Sequence, residues 1–234
     1  MESERLLVAE SAACPRCGKP PSLCVCADIA PIANRIEVVI LQHPQEQDVA
    51  LGTARLTALH LKRATLRIGL SWPSLAKLLG RQVEPRRWAV LYLGSARADQ
   101  LAPGREIVLL DRKGAALSDQ DATLAEIEGI VILDGSWSQA KALWWRNPWM
   151  LKCRRVVLGP RRPSRYGKLR REPRREGLST IEATALLLSR LEAKPEIERS
   201  LVHSFERLLE GYRAARRAPA QPPSASNSGP SSPA

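Results

Sequence analysis

Hydrophobic residues gather in five short runs that read as buried strands: 36–41, 88–93, 107–111, 130–133 and 155–158. They are rich in Val, Ile and Leu and contain no proline, a composition that suits a strand covered on both faces. Helical spacing fills the gaps between them. Residues 49–64 follow helical spacing, with apolar positions at Leu51, Ala54, Leu56, Leu59 and Leu61, and Trp72-Pro73-Ser74 opens a short helix to Leu79. Further helices are predicted over 124–128, 137–146 and 178–190. A last one over 196–217 carries the stripe Ile197, Leu201, Phe205, Leu208, Leu209 and Tyr212. Strands alternating with helices predict an α/β fold, a mainly parallel sheet with helices on both faces.

The central run, Ile130-Val131-Ile132-Leu133, ends in Asp134-Gly135, and Ser136 or Ser138 can cap the helix that follows. A carboxylate therefore stands where a buried strand hands over to a helix, the place at which open α/β sheets bind ligands. Helix capping is the competing explanation for Asp134. His43, in Gln42-His43-Pro44, follows the first strand in the same way. Leu93, Gly94 and Ser95 end another strand in a small-residue turn that can bring a ligand close to backbone.

Four of the five cysteines fall within thirteen residues, Cys14-x2-Cys17 and Cys24-x-Cys26 joined by a turn. That spacing suits one tetrahedral, structural Zn2+. Two disulfides or four unliganded thiols are the other readings, the first disfavoured in a reducing compartment. Cys153 has no assigned role. The segment 1–32 is thus expected to hold a zinc knuckle, 33–217 the main domain, and 218–234, uncharged and rich in Pro and Ser, a disordered tail.

Charge changes the picture next. The chain carries 36 Lys and Arg against 24 Asp and Glu, a net +12. Residues 146–175 alone hold twelve basic side chains and one acid, Glu172. Such concentration points to a polyanionic partner. No apolar run reaches the ~20 residues of a membrane span, and the first residues do not read as a secretory signal, so a cytoplasmic protein is expected.

Taken together these segments resemble the DTW-domain family. Its D-x-T-W signature is read here as Asp134-Gly135-Ser136-Trp137, with Ser for Thr. The N-terminal cysteines, Leu41-Gln42-His43-Pro44 and Leu178-Ser179-Thr180-Ile181-Glu182-Ala183 follow the family order, so the resemblance covers residues 14–212. It implies a tRNA-uridine aminocarboxypropyltransferase using S-adenosylmethionine, with acp3U and methylthioadenosine as products. It also implies a SPOUT-like fold, a class whose C-terminal chain is knotted. Asp134 and Trp137 are then the expected catalytic residues. Gly135, Ser136, Ser179, Thr180 and Glu182 join Leu93, Gly94 and Ser95 as cofactor-binding candidates, although Ser179 and Glu182 also spell a capping box. His43, Arg161, Arg162, Arg165, Tyr166, Arg170 and Arg171 are expected to contact tRNA, Tyr166 and Arg170 matching a Y-x-x-x-R element. A SPOUT-type RNA methyltransferase and a non-catalytic zinc-and-arginine RNA-binding module are the alternatives.

Overall fold

Alternation of side chains along two neighbouring strands sets the layers. In β1 (Glu37–Gln42), Val38 and Ile40 enter one core while Val39 and Leu41 enter another. In β5 (Gly129–Asp134), Ile130 and Ile132 face the first core, Val131 and Leu133 the second. The computed structural model describes residues 12–91, 104–111, 113–159, 163–169 and 177–217. Among them lie four further strands: β2 (Ala64–Ile68), β3 (Trp88–Leu91), β4 (Ile107–Leu110) and β6 (Arg154–Leu158). Strand order is β2-β1-β5-β3-β6-β4. All neighbours are parallel except β4, which pairs antiparallel with β6 at the edge.

Helices cover both faces, as the strand character requires. The first core takes residues from α1 (Ala54–Leu59), α5 (Thr180–Leu191) and α6 (Pro195–Arg217), with Ile181, Leu187, Leu201, Phe205 and Leu208 fully buried. The second takes Leu75 and Leu78 of α2 (Leu75–Leu79), Ala140 and Leu143 of α4 (Trp137–Arg146), and Trp149. Each buried aliphatic side chain of this kind contributes roughly 1.5–3 kcal/mol. The short α3 (Gln120–Ala125) precedes β5. At the start of β5, a Cβ on Gly129 would lie 2.5 Å from the ring of Trp88, so only glycine fits there.

One arrangement bears on where a ligand could bind. β1 and β5 are adjacent and parallel, yet the chain leaving β1 builds α1 on one face and the chain leaving β5 builds α4 on the other. In open α/β sheets the crevice that binds ligands is expected outside carboxyl ends that diverge in this way.

Two expectations change. The predicted helix over 49–64 is reduced to Ala54–Leu59, and the chain then forms β2. This edge strand, Ala-Thr-Leu-Arg-Ile, ends with Arg67 and Ile68 exposed, so it lacks the continuous apolar run that marked the others. The cysteine-rich segment shares the first core through Leu23, Val25 and Ile29. Its turn Pro21–Leu23 lies on α6, where a Cβ on Gly211 would stand 2.9 Å from the Ser22 carbonyl oxygen, and Arg207 pairs with Asp28. Among the described residues no helix is long and apolar enough to cross a membrane.

His60, just after α1, is fully buried. Its Nδ1 lies 3.2 Å from the Ser200 hydroxyl, and its Nε2 has no partner among the described residues. Burial lowers its pKa to about 4. The unfolded chain, with the ordinary value near 6.5, binds the proton first as pH falls. Stability is therefore complete above about pH 6.5 and is lost down to about pH 4, by roughly 1.4 kcal/mol per unit. In chemical denaturation at pH 7 and pH 5, His60→Gln should lose less stability between the two than the wild type. Equal losses would show that His60 is not the group responsible.

Candidate active site and metal centre

Asp134 closes β5 and is only 6% exposed. Its carboxylate is held from two sides. Gln42, its register partner at the end of β1, donates from Nε2 to Oδ2 at 2.9 Å. Thr180, the first residue of α5, donates from its hydroxyl to Oδ1. The positive end of the α5 dipole adds to the stabilisation of the anion. A buried carboxylate with a donor on each oxygen has a fixed orientation.

The turn that follows is shaped around this group. The backbone N–H of His43 donates to the Asp134 carbonyl at 2.9 Å, and His43 Nδ1 accepts from the Gln45 N–H at 3.3 Å. A Cβ on Gly135 would stand 2.9 Å from the Gln139 Cβ and 3.4 Å from the His43 Cβ, so a larger residue has no room. Ser136 caps α4, and Gln139 Oε1 accepts from its N–H at 2.6 Å while Gln139 Nε2 reaches Gln45 Oε1 at 3.2 Å. Trp137, half-buried, is the first residue of α4.

α5 begins with the capping box Ser179/Glu182, both nearly buried. Glu182 accepts from the Ser179 N–H at 3.0 Å and hydroxyl at 2.6 Å, and from the Ser164 hydroxyl at 2.6 Å and Arg165 N–H at 2.9 Å. Glu182 thereby ties the loop 163–169 to the helix whose first residue holds Asp134.

At the N-terminus the four sulfurs of Cys14, Cys17, Cys24 and Cys26 lie within 4.8 Å of one another. Cys14 and Cys26 are 4.0 Å apart, Cys17 and Cys24 3.8 Å. Tetrahedral Zn–S bonds of ~2.3 Å require S–S separations near ~3.8 Å, so the group fits one zinc ion. Backbone N–H groups of Cys17 and Arg16 lower the Cys14 pKa to about 6, whereas burial raises the Cys17 and Cys26 thiols. Cations surround the cluster: Arg16 donates to the Cys26 carbonyl at 2.9 Å, and the Arg55 guanidinium crowds Gly18. Lys19 is 5% exposed and donates to the Ala50 carbonyl at 2.6 Å. Burial lowers its pKa to about 8, and the negative charges of Cys17 and Asp134 oppose that shift.

The model of the DTW domain matches residues 11–213. The chain belongs to the DTW-domain family. Over 201 residues it is 29% identical to the Drosophila melanogaster tRNA-uridine aminocarboxypropyltransferase 2, covering 84% of this chain and 73% of the relative. The proteins of the same name from Macaca fascicularis and Mus musculus are 28% identical over 199 residues and 29% over 203. Each match covers 83% of this chain and 61% of the relative, so the chain spans less than two thirds of those two proteins. No solved structure matches.

Within the DTW domain the structure brings several expected residues together: Asp134, Gly135, Ser136, Trp137 and His43 surround the end of β5, and Thr180 reaches it from α5. Glu182 forms the capping box that the sequence also allowed. Its oxygens are taken by Ser164, Arg165 and Ser179, as a capping residue's are. Tyr166, expected on an RNA-binding surface, is 4% exposed. Its hydroxyl donates to the Leu51 carbonyl at 2.8 Å, and its ring meets Phe205 edge-on at 4.9 Å, so it packs the first core. Arg165 is half-exposed but paired with Glu206 at 3.0 Å and Glu182 at 3.6 Å. Leu93, Gly94, Ser95, Arg161, Arg162, Arg170 and Arg171 lie outside the described residues. Gln42, Gln139 and Lys19 were not among the candidates. Gln42 could have been found by its place at a strand end matching Asp134, whereas nothing in the sequence marks Lys19 as buried.

Proposed function

We propose that this chain transfers the 3-amino-3-carboxypropyl group of S-adenosylmethionine to N3 of a tRNA uridine, giving acp3U and methylthioadenosine. What carries the reading is the carboxylate of the family signature, Asp134, fixed by Gln42 and Thr180 at the crevice between β1 and β5. Relatives matching most of the chain bear the name of that activity. The donor would bring a sulfonium that makes its attached carbons electrophilic, together with an ammonium and a carboxylate. The crevice offers a fixed carboxylate, an amide and a hydroxyl, polar groups that suit such a ligand. The SPOUT-like, knotted path belongs to the same reading, supported by α5 starting beside the end of β5.

Asp134 accepts the uridine N3 proton as N3 bonds to the γ-carbon of the methionine chain. The bond from that carbon to sulfur breaks, and its electron pair leaves with the neutral thioether. Gln42 and Thr180 keep the carboxylate aimed, so selection of the γ-carbon over the methyl comes from position. Ser136 and Gly135 shape the wall nearest α4, and Trp137 limits water. Zinc stays structural, with all four ligands supplied by Cys14, Cys17, Cys24 and Cys26. Arg161, Arg162, Arg170 and Arg171 supply phosphate contacts, which makes binding salt-dependent.

The test is nucleoside mass spectrometry of tRNA incubated with the purified protein and S-adenosylmethionine. Expected are a uridine bearing the aminocarboxypropyl group and an equal amount of methylthioadenosine. S-adenosylhomocysteine with a methylated nucleoside would replace this reading by methyl transfer, and unchanged tRNA would leave no transferase.

A further inference from the structure

We propose that the flank formed by the end of α4 and the loop after β2 is where unpaired nucleotides next to the target uridine dock, with Trp145 as the stacking platform. The proposal rests on the reading of a tRNA substrate and gives that substrate a surface. Among the described residues the exposed large hydrophobics are Trp145 (75%), Leu151 (57%), Ile68 (39%) and Leu70 (37%). They do not scatter. The fully buried Asn147 fastens the loop after β2 to the end of α4: its Nδ2 donates to the Leu70 carbonyl at 3.0 Å, and its Oδ1 accepts from the Trp72 N–H at 2.8 Å. Ser71 adds a bond to the Arg146 carbonyl at 3.2 Å. Leu151 follows in the turn Pro148–Lys152.

This flank connects to Asp134 by two routes. Across the sheet, Gln42 has Asp134 as register partner on one side and Ile68 on the other, about 10 Å apart for two strand spacings. Along α4, Ser138, Lys141 and Trp145 are exposed. At spacings of three and four they share one face, which leads from the mouth of the crevice towards the C-terminal end of α4.

Charge selects the occupant. Arg67, Lys141, Arg146 and Lys152 are exposed around the apolar groups. Neither contributing stretch holds an acid: none occurs from Val49 to Val83 or from Gly135 to Arg171. A second copy of the chain would set the same cations against each other. An RNA strand offers phosphates to the cations and base faces to the indole, the combination by which unpaired nucleic acid is held.

Trp145→Ala should weaken binding of unmodified tRNA about tenfold, since stacking on one base is worth ~1–3 kcal/mol. KM for tRNA should rise, while KM for S-adenosylmethionine, the thermal midpoint and the slope of affinity against salt stay as in the wild type. Trp145→Phe should restore most of the affinity. Lys141→Ala with Arg146→Ala should instead flatten the salt slope. Unchanged tRNA affinity in Trp145→Ala, with the wild type still forming the modified nucleoside, overturns this surface and leaves the transferase reading intact. A wild type that neither binds nor modifies tRNA overturns that reading itself. A dimer in sedimentation that Trp145→Ala dissociates, or wild-type binding to anionic phospholipid vesicles that Trp145→Ala abolishes, assigns the flank to another partner and overturns the proposal.

Discussion

Asp134→Asn is expected to fold normally, bind tRNA as the wild type does, and lose transfer by ~100-fold or more, the usual scale for removing a general base. The structure explains why folding should survive. Asparagine keeps one oxygen to accept from Gln42 Nε2, and its amide can donate to the Thr180 hydroxyl, which then accepts instead of donating. Both contacts that fix the side chain are thus retained in reversed or equivalent form. What disappears is the negative charge and with it the proton acceptor. Raising the pH should then recover part of the rate, because uridine gives up its N3 proton to solvent. If the charge serves the donor's ammonium or sulfonium instead, KM for S-adenosylmethionine rises and alkaline pH rescues nothing. Near wild-type turnover at neutral pH and saturating substrates would remove both roles and leave Asp134 as a group that only ties β5 to α5. Trp137→Phe serves as the control for lost packing, with a modest fall.

The strand that carries Asp134 was legible because its chemistry is uniform: four consecutive apolar residues and then an acid can hardly be read otherwise. The parallel sheet followed from the same rule. β2 was missed because an edge strand buries little, and Ala-Thr-Leu-Arg-Ile lacks the signal of full burial. The site was half legible. Asp134 and Thr180 stood out at element ends, yet their contact joins residues 46 apart in sequence, and only the fold brings them together. Glu182 and Tyr166 show the opposite case. Each sits in a suggestive motif, but the side chains are used by the fold, one in a helix cap and the other against Phe205. Lys19 was invisible because a lysine beside cysteines reads as solvated, and its burial comes from docking of the cysteine segment near Ala50.

That docking gives the metal its expected effect on stability. Cys17→Ser or Cys26→Ser should abolish zinc binding and lower the thermal midpoint by roughly 10 °C, about what losing ~3–5 kcal/mol does in a domain of this size. The segment has little core of its own; Leu23, Val25 and Ile29 are buried only because the turns that carry them are held against α6. Without the ion, Cys17 and Cys26 remain buried thiols with raised pKa values and no bond across the cluster, so nothing closes the turns. Cys14 and Cys24 are half-exposed, and their replacement should cost less stability at the same loss of metal. Cys153 is the internal control: burial pushes its thiol up to about 12, it lies outside the cluster, and Cys153→Ser should keep the full zinc content. Elemental analysis of protein prepared without chelator should give one zinc per chain. Turnover per folded molecule should fall less than the yield of folded protein, because an ion held by these cysteines would brace the scaffold while Asp134 is held by Gln42 and Thr180. A wild type free of zinc, or Cys17→Ser with an unchanged midpoint, would return the four cysteines to simple thiols.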